Sequence, residues 1–394
     1  MTKKRTNIWR RRIVGLPVAL SVAAALWSAP AAADDTLRIG SILSVTGPAA
    51  FLGEDMKAGM ELAIEEINAS GGVGGKKVEW VFYDAESQTA KAINATRRLI
   101  SQDDVDIIVG GGNMSGIAMA MVPLVQRAGI PFISTEGSMQ IVTPVKDREF
   151  VFKSTVDDDQ ILNRVMDYFD KKGIKRAALL ADSSGFGQSA VEQMKALAPK
   201  RGIEVVYESF NPADTDMTPQ LGRLKNAGVE AIICWTVAPA GVVFIKQADQ
   251  LGLDKLTLVH SYGFVDQRYM ELAGSSVKDL LLVSVKFPVG RDLPDDDPVK
   301  ERIVDLTERF EKKYGRAPNQ YVAQTYDAIM LARLAMEKAG DDPKGISAAL
   351  EQADAFKGAG GVFNFSKERH SGLAKSDIVM LGYRDKAFYL ADLK

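Results

Sequence analysis

Cysteine is nearly missing from this chain: Cys234 is the single one in 394 residues, so no intrachain disulfide and no Cys-rich metal motif can form. Histidine is almost as scarce. His260 and His370 are too few for most zinc sites. No GxxxxGK[ST] phosphate loop occurs, no GxGxxG opens the first strand–helix unit after Ile39, and no GxSxG surrounds Ser183 or Ser184. The run GGVGG at residues 71–75 follows a helix rather than a strand, so it does not fit a nucleotide motif either. Beyond the N-terminus no apolar run approaches the roughly 18 residues of a membrane span. A surplus of positive charge is missing too, which argues against nucleic acid and anionic lipid as partners. These gaps turn the reading away from catalysis and toward binding, with no cofactor and no metal called for.

The N-terminus has the form of a secretory leader. Lys3, Lys4, Arg5, Arg10, Arg11 and Arg12 precede an apolar run at 13–27, and Ala31, Ala32 and Ala33 stand before Asp34. Cleavage is expected after Ala33 by general secretion, with the arginine run a weaker hint of the twin-arginine route. Removing 1–33 takes six of the 49 basic residues and none of the 51 acidic ones, leaving 43 against 51 and a net charge of −8. The expected compartment lies outside the cytoplasm.

What remains is ordered as strand-like and helix-like runs in alternation. Strands at 37–43, 77–83 and 105–109 are each followed by helices, at 56–68, 88–101 and 115–126. A second series starts afresh with strands at 176–181, 203–207, 231–235 and 256–260. The alternation predicts an α/β fold of two doubly wound parallel-sheet lobes. Residues 34–152 with 289–355 are assigned to lobe 1, and 153–288 with 356–394 to lobe 2, joined by a hinge of three crossings. The closing strands at 362–365, 378–383 and 387–390 are placed in lobe 2. Cys234 falls in an apolar strand run and reads as a buried thiol. His370 sits in the polar turn KERHSG and reads as solvent-facing, and His260 as either a cleft group or a strand-end residue. The acidic runs at 157–159 and 295–297 read as a helix cap and an exposed loop rather than cation sites.

The most telling stretch is VDIIVGGGNMSGIAMAMVPLVQRAGIPFISTEGSM, residues 105–139. Gly110, Gly111 and Gly112 allow close backbone approach, and a helix starts at Ser115. The next strand ends in Ser134, Thr135, Gly137 and Ser138. Helix starts offer unpaired N–H groups to an anion, and open parallel sheets collect ligands at the carboxyl ends of their strands. A small anion, a carboxylate or a phosphate, is the expected guest.

At this point the chain resembles the type I periplasmic binding proteins, specifically the leucine/isoleucine/valine-binding family that feeds hydrophobic amino-acid ABC transporters. The resemblance rests on IGSILSVTGPAAFLGEDMKAGMELAIEEINASGGVGG, GNMSGIAMA, GIPFIST, VFKSTVDDDQ and SSGFGQSAVEQMKA taken together. It implies the periplasm as the compartment, a cleft that closes on a ligand, delivery to a permease in the inner membrane, a monomer, and no chemistry on the ligand. Carried over by residue, Ser115 and the segment from Ser134 to Ser138 match the carboxylate grip, with the Ser138 hydroxyl and the Gly137 backbone foremost. Phe186 takes the place of an aromatic wall, and Phe51 and Leu52 precede Gly53 on the first lobe. For a ligand ammonium the resemblance implies a hinge acid, Asp157 or Asp158, and a second-lobe acid whose place Tyr262 takes. Tyr262, Phe186, Trp235 and Phe51 would suit a flat body bearing one carboxylate, so aromatic acids of the benzoate or phenylpropenoate type stand beside branched-chain amino acids. A ligand-sensing module of the same fold is the third reading.

Overall fold

The computed structural model describes residues 36–391. The leader and its cleavage point lie outside them. The first sheet contains β1 (Thr36–Leu43), β2 (Lys77–Asp84), β3 (Ile107–Val109), β4 (Phe132–Ser134) and β5 (Val151–Lys153), all parallel in the order β2-β1-β3-β4-β5. Its inner strands are covered on both faces, which is why β3 and β4 read as unbroken apolar runs and are buried throughout. The crossovers are α1 (Ala50–Ala69), α2 (Thr89–Ser101) and α3 (Ser115–Ala128), the last ended by Gly129 at φ 69°.

The chain then builds a second sheet. α4 (Asp158–Lys172), β6 (Arg176–Asp182), α5 (Gly185–Leu197), β7 (Glu204–Phe210), α6 (Thr218–Asn226), β8 (Ala231–Trp235), α7 (Ala240–Gln250), β9 (Thr257–His260), α8 (Gln267–Ala273) and β10 (Leu281–Val285) follow in order. The parallel part, β7-β6-β8-β9-β10, repeats the strand order of the first sheet. The acidic run at 157–159 is accounted for by α4: Asp157 is its N-cap, and Asp158 and Asp159 occupy the first turn, where the helix dipole favours negative charge.

After β10 the chain lays α9 (Lys300–Tyr314), α10 (Gln320–Ala339) and α11 (Pro343–Glu351) against the first sheet's helices. α10 packs tightly on α1. A Cβ at Gly59 would lie 2.5 Å from the Val322 carbonyl, and the Tyr326 phenol donates to Glu66 at 2.7 Å. The pair β11 (Phe356–Lys357) and β12 (Val362–Phe363) follows as a separate hairpin. This corrects the expectation that 362–365 forms a strand of the second sheet. Asp327 on α10 accepts the N–H groups of Ala359 and Gly360 at 2.9 and 2.7 Å and pins the hairpin's turn to the first lobe's helices instead. β13 (Ile378–Arg384) then joins the second sheet antiparallel to β10, and β14 (Ala387–Leu390) pairs antiparallel with β13 at its edge.

His370 is also corrected. It is 1% exposed, its ring stacks on Phe152 at 4.2 Å, and Nδ1 meets the carbonyls of Arg148 and Val151 at 3.0 and 2.9 Å. The polar turn around it is drawn alongside β5, where the Lys153 N–H donates to the His370 carbonyl. His260 is a strand-end residue sealed against Phe264 at 3.8 Å, and burial holds it neutral, with a pKa lowered to about 3. Cys234 is fully buried, and burial pushes its thiol well above the usual range.

Candidate ligand-binding site

In the first sheet the strand order reverses between β1 and β3, and the second sheet has the same reversal between β6 and β8. A cavity of about 210 Å³ lies where the loops beyond these strand ends meet. The first lobe supplies Leu52 and Met56 from α1, residues 113–117 around the start of α3, and Thr135, Glu136 and Gly137 after β4. The second lobe supplies Ser184, Gly185, Phe186, Val237, Tyr262 and Gly263, while α10 adds Tyr321 and Gln324.

The two lobes touch around this space. A Cβ on Gly137 would come within 2.8 Å of the Phe186 ring, and one on Gly185 within 3.2 Å of the Gly116 nitrogen. Both positions admit glycine because backbone from one lobe meets the other. Ser138 donates to Ser189 of α5 at 2.9 Å, and Arg268 of α8 reaches Asp55 of α1 at 2.6 Å. Asn319 bridges Asp55 and Asp266 at 2.8 and 2.9 Å, closing a polar latch on one rim.

Of the ten residues singled out from the sequence, Leu52, Ser115, Gly137, Phe186 and Tyr262 border the cavity. The other five stand back from it. Phe51 packs edge-on to Tyr269 at 5.5 Å, and Trp235 lies behind Phe186 with ring centres 5.2 Å apart. Ser134 donates to Glu136 at 2.5 Å, and the Ser138 hydroxyl is engaged by Ser189 and the Gln140 N–H. Asp158 accepts the Met139 N–H at 3.3 Å, and burial pushes its carboxyl up to about 6.

Glu136 is the group that sequence reading passed over. It is 4% exposed, and its carboxylate accepts the N–H groups of Gly111 at 2.9 Å, Asn113 at 3.2 Å and Thr135 at 3.0 Å. Hydroxyls of Ser134 and Thr135 complete the set at 2.5 and 3.0 Å. The glycine-rich loop therefore does enclose an anion, and the anion is the protein's own. Burial pushes this carboxyl above its usual range, while its donors pull it back.

Polar capacity for a guest remains at the start of α3. The first-turn N–H groups at Ser115 and Gly116 have no intrahelical acceptor and stand at the cavity wall. The Ser115 oxygen accepts the Ser138 N–H at 3.3 Å, which leaves its hydrogen to donate. The peptide that carries this N–H is held from its other side. Lys153, wholly buried, donates to the Gly137 carbonyl at 2.8 Å and pairs with Asp157 at 2.5 Å.

Tyr262 offers its ring to the cavity and directs its hydroxyl elsewhere. The phenol donates to Gln324 at 2.7 Å and accepts from Thr155 at 3.0 Å, and burial raises its pKa. Gln324 in turn donates to the Thr135 carbonyl. The strand-crossing segment, the second lobe, α10 and the loop after β4 are thus one hydrogen-bonded chain. Among the described residues no cluster of three or more His, Cys, Asp or Glu side chains is disposed to hold a metal.

Two sheets of matching order that enclose a small cavity between their strand ends define a clamp for a small solute. The sequence profile described as periplasmic binding protein matches residues 36–386, and the chain belongs to that family. It is similar to the leucine-, isoleucine-, valine-, threonine- and alanine-binding protein of Pseudomonas aeruginosa, 27% identical over 85% of this chain and 87% of the relative. It is 26% identical to Leu/Ile/Val-binding protein homolog 3 of Brucella melitensis, over 88% of this chain and 92% of that one. Among solved structures, the branched-chain amino acid transporter substrate binding protein LivJ of Streptococcus pneumoniae, in complex with isoleucine, superposes with a TM-score of 0.78. That match is 25% identical and covers 90% of this chain and 97% of LivJ.

Proposed function

We propose that this chain is the extracytoplasmic solute-binding component of an ABC transporter. It captures a small hydrophobic amino acid of the branched-chain type between its lobes and delivers it to a membrane permease. The observation that carries this reading is the cavity itself, which sets neutral donors at Ser115 and Gly116 against apolar walls from Leu52, Met56, Ile117, Phe186 and Val237. An α-carboxylate takes the donors and an aliphatic side chain takes the walls. The names of the relatives support the same ligand class.

In this reading residues 1–33 are the export leader, the mature chain works in the periplasm as a monomer, and three crossings between the lobes form the hinge. Contacts made to both lobes shift the hinge toward its closed form, which is the form a permease reads. Aromatic acids fit less well, because a bare carboxylate would enter a cavity whose lining carries a carboxylate.

A thermal-shift series tests the reading, since a ligand that binds the folded form raises the melting temperature by mass action. Leucine, isoleucine or valine should raise it, and benzoate should not. A shift with benzoate alone would replace the amino-acid assignment.

A further inference from the structure

We propose that Glu136 is a specificity residue that selects ligands by charge: it admits zwitterions, amines and amides and turns away bare carboxylates. The inference deepens the amino-acid reading and rests on the same cavity. Three observations carry it. First, among the described residues that line the cavity, Glu136 is the one charged side chain, with no Lys, Arg or His to offset it. The nearby buried cation, Lys153, is occupied by Asp157 and by the Gly137 carbonyl.

Second, the charge is built in. Gly111 has no side chain because a Cβ there would lie 2.2 Å from the Glu136 carboxylate, and Gly110 and Gly112 hold φ of +96° and +71°, the left-handed region. Asn113 shares that conformation at φ 66° while its side chain ties the loop to the Ser44 carbonyl at 2.8 Å. The loop is shaped around Glu136, in the way a backbone nest is shaped around an anion. Third, that cradle is full. The donors that a ligand carboxylate could have taken at Gly111 and Asn113 are engaged, so a ligand anion must settle at Ser115 and Gly116 with a fixed negative charge sharing the cavity. An ammonium on the same molecule offsets that repulsion, and a neutral amide never meets it.

The test is calorimetric titration of the purified protein with leucine, 4-methylpentanoate (leucine without its amine), 4-methylpentanamide (its uncharged amide) and 3-methylbutylamine (leucine without its carboxylate). The wild type should bind leucine about tenfold or more tighter than 4-methylpentanoate, and should also prefer the amide to the acid. Glu136→Gln keeps the shape and removes the charge. It should strengthen 4-methylpentanoate and narrow the gap to leucine.

An equal loss for every ligand in Glu136→Gln, with the gap intact, would mean that Glu136 only holds the loop, and would overturn the proposal. So would a wild type that binds the acid as well as it binds leucine or the amide, a comparison that needs no variant to fold. Binding of the amine or amide without any branched-chain amino acid would sink the proposed function and leave the charge selection standing. Binding of none of the four would end both.

Discussion

The two walls of the cavity are built on opposite terms. On the first-lobe side the polar groups are prearranged: Glu136 has five donors, Asn113 is tied to Ser44, and the Ser115 oxygen is positioned by a peptide that Lys153 steadies. On the second-lobe side the contribution is mostly surface, from Phe186 backed by Trp235, Val237 and the ring of Tyr262. The difference teaches how a clamp divides its labour. In the proposed function the prearranged wall discriminates before closure, because its dipoles are already set, while the apolar wall adds contact area when the lobes meet.

The same substitution on each wall gives the sharpest contrast. Gly111→Ala drives a methyl into the Glu136 carboxylate at 2.2 Å and should cost about 3 kcal/mol of folding stability, read by chemical denaturation. Gly185→Ala meets the flexible end of Met119 at 2.7 Å and then the other lobe's Gly116. It should leave folding nearly intact and weaken ligand binding through poorer closure. Equal effects of the two on folding would erase the distinction between the walls.

Ser115→Ala removes a donor to the ligand carboxylate and should weaken leucine by roughly 1–3 kcal/mol, with a small fall in the ligand-free melting temperature because the Ser138 N–H loses its acceptor. Unchanged affinity by calorimetry would remove Ser115 from the site. Arg268→Gln opens the rim latch to Asp55. Because the Arg268 side chain is 46% exposed, the expected loss of affinity is about 1 kcal/mol or less, seen chiefly as faster ligand release.

The smallest effect is that of pH on the closed frame. Burial pushes Asp327 up to about 7, and Asp106 and Asp158 up to about 6, so between pH 8 and 6 the folded chain binds protons that the unfolded chain does not. Stability therefore rises as pH falls through that range. His260 acts in the opposite direction below its unfolded value of 6.5, since the folded form resists its proton down to about 3. The melting temperature should peak near pH 6; a steady fall from pH 8 to 6 would contradict this balance.

Much of the frame was legible because parallel strands buried on both faces leave continuous apolar runs, as at 107–109 and 231–235. The start of α3 was legible for a similar local reason, three glycines followed by a helix pattern. Glu136 was hidden. A charged residue between Thr135 and Gly137 reads as a solvated turn, and its true partners, Gly111 and Asn113, lie more than twenty residues away. The three glycines were the available signal, and they were matched to a guest instead of a side chain. Tyr321 and Gln324 were missed because nothing near 320 announces a cavity that is assembled by residues some two hundred positions earlier. The turn around His370 misled by composition, since polar neighbours gave no sign that β5 lies beside it.

Cys234 has a practical consequence. With the sole thiol sealed in β8, the rest of the surface is a blank field for maleimide chemistry. Leu272 on α8 is 60% exposed and four residues from Arg268, so a fluorophore on Leu272→Cys would label one site and sit close to the rim latch, where the proposed closure would be felt. The protein is in that sense already half-way to an optical reporter of its own ligand.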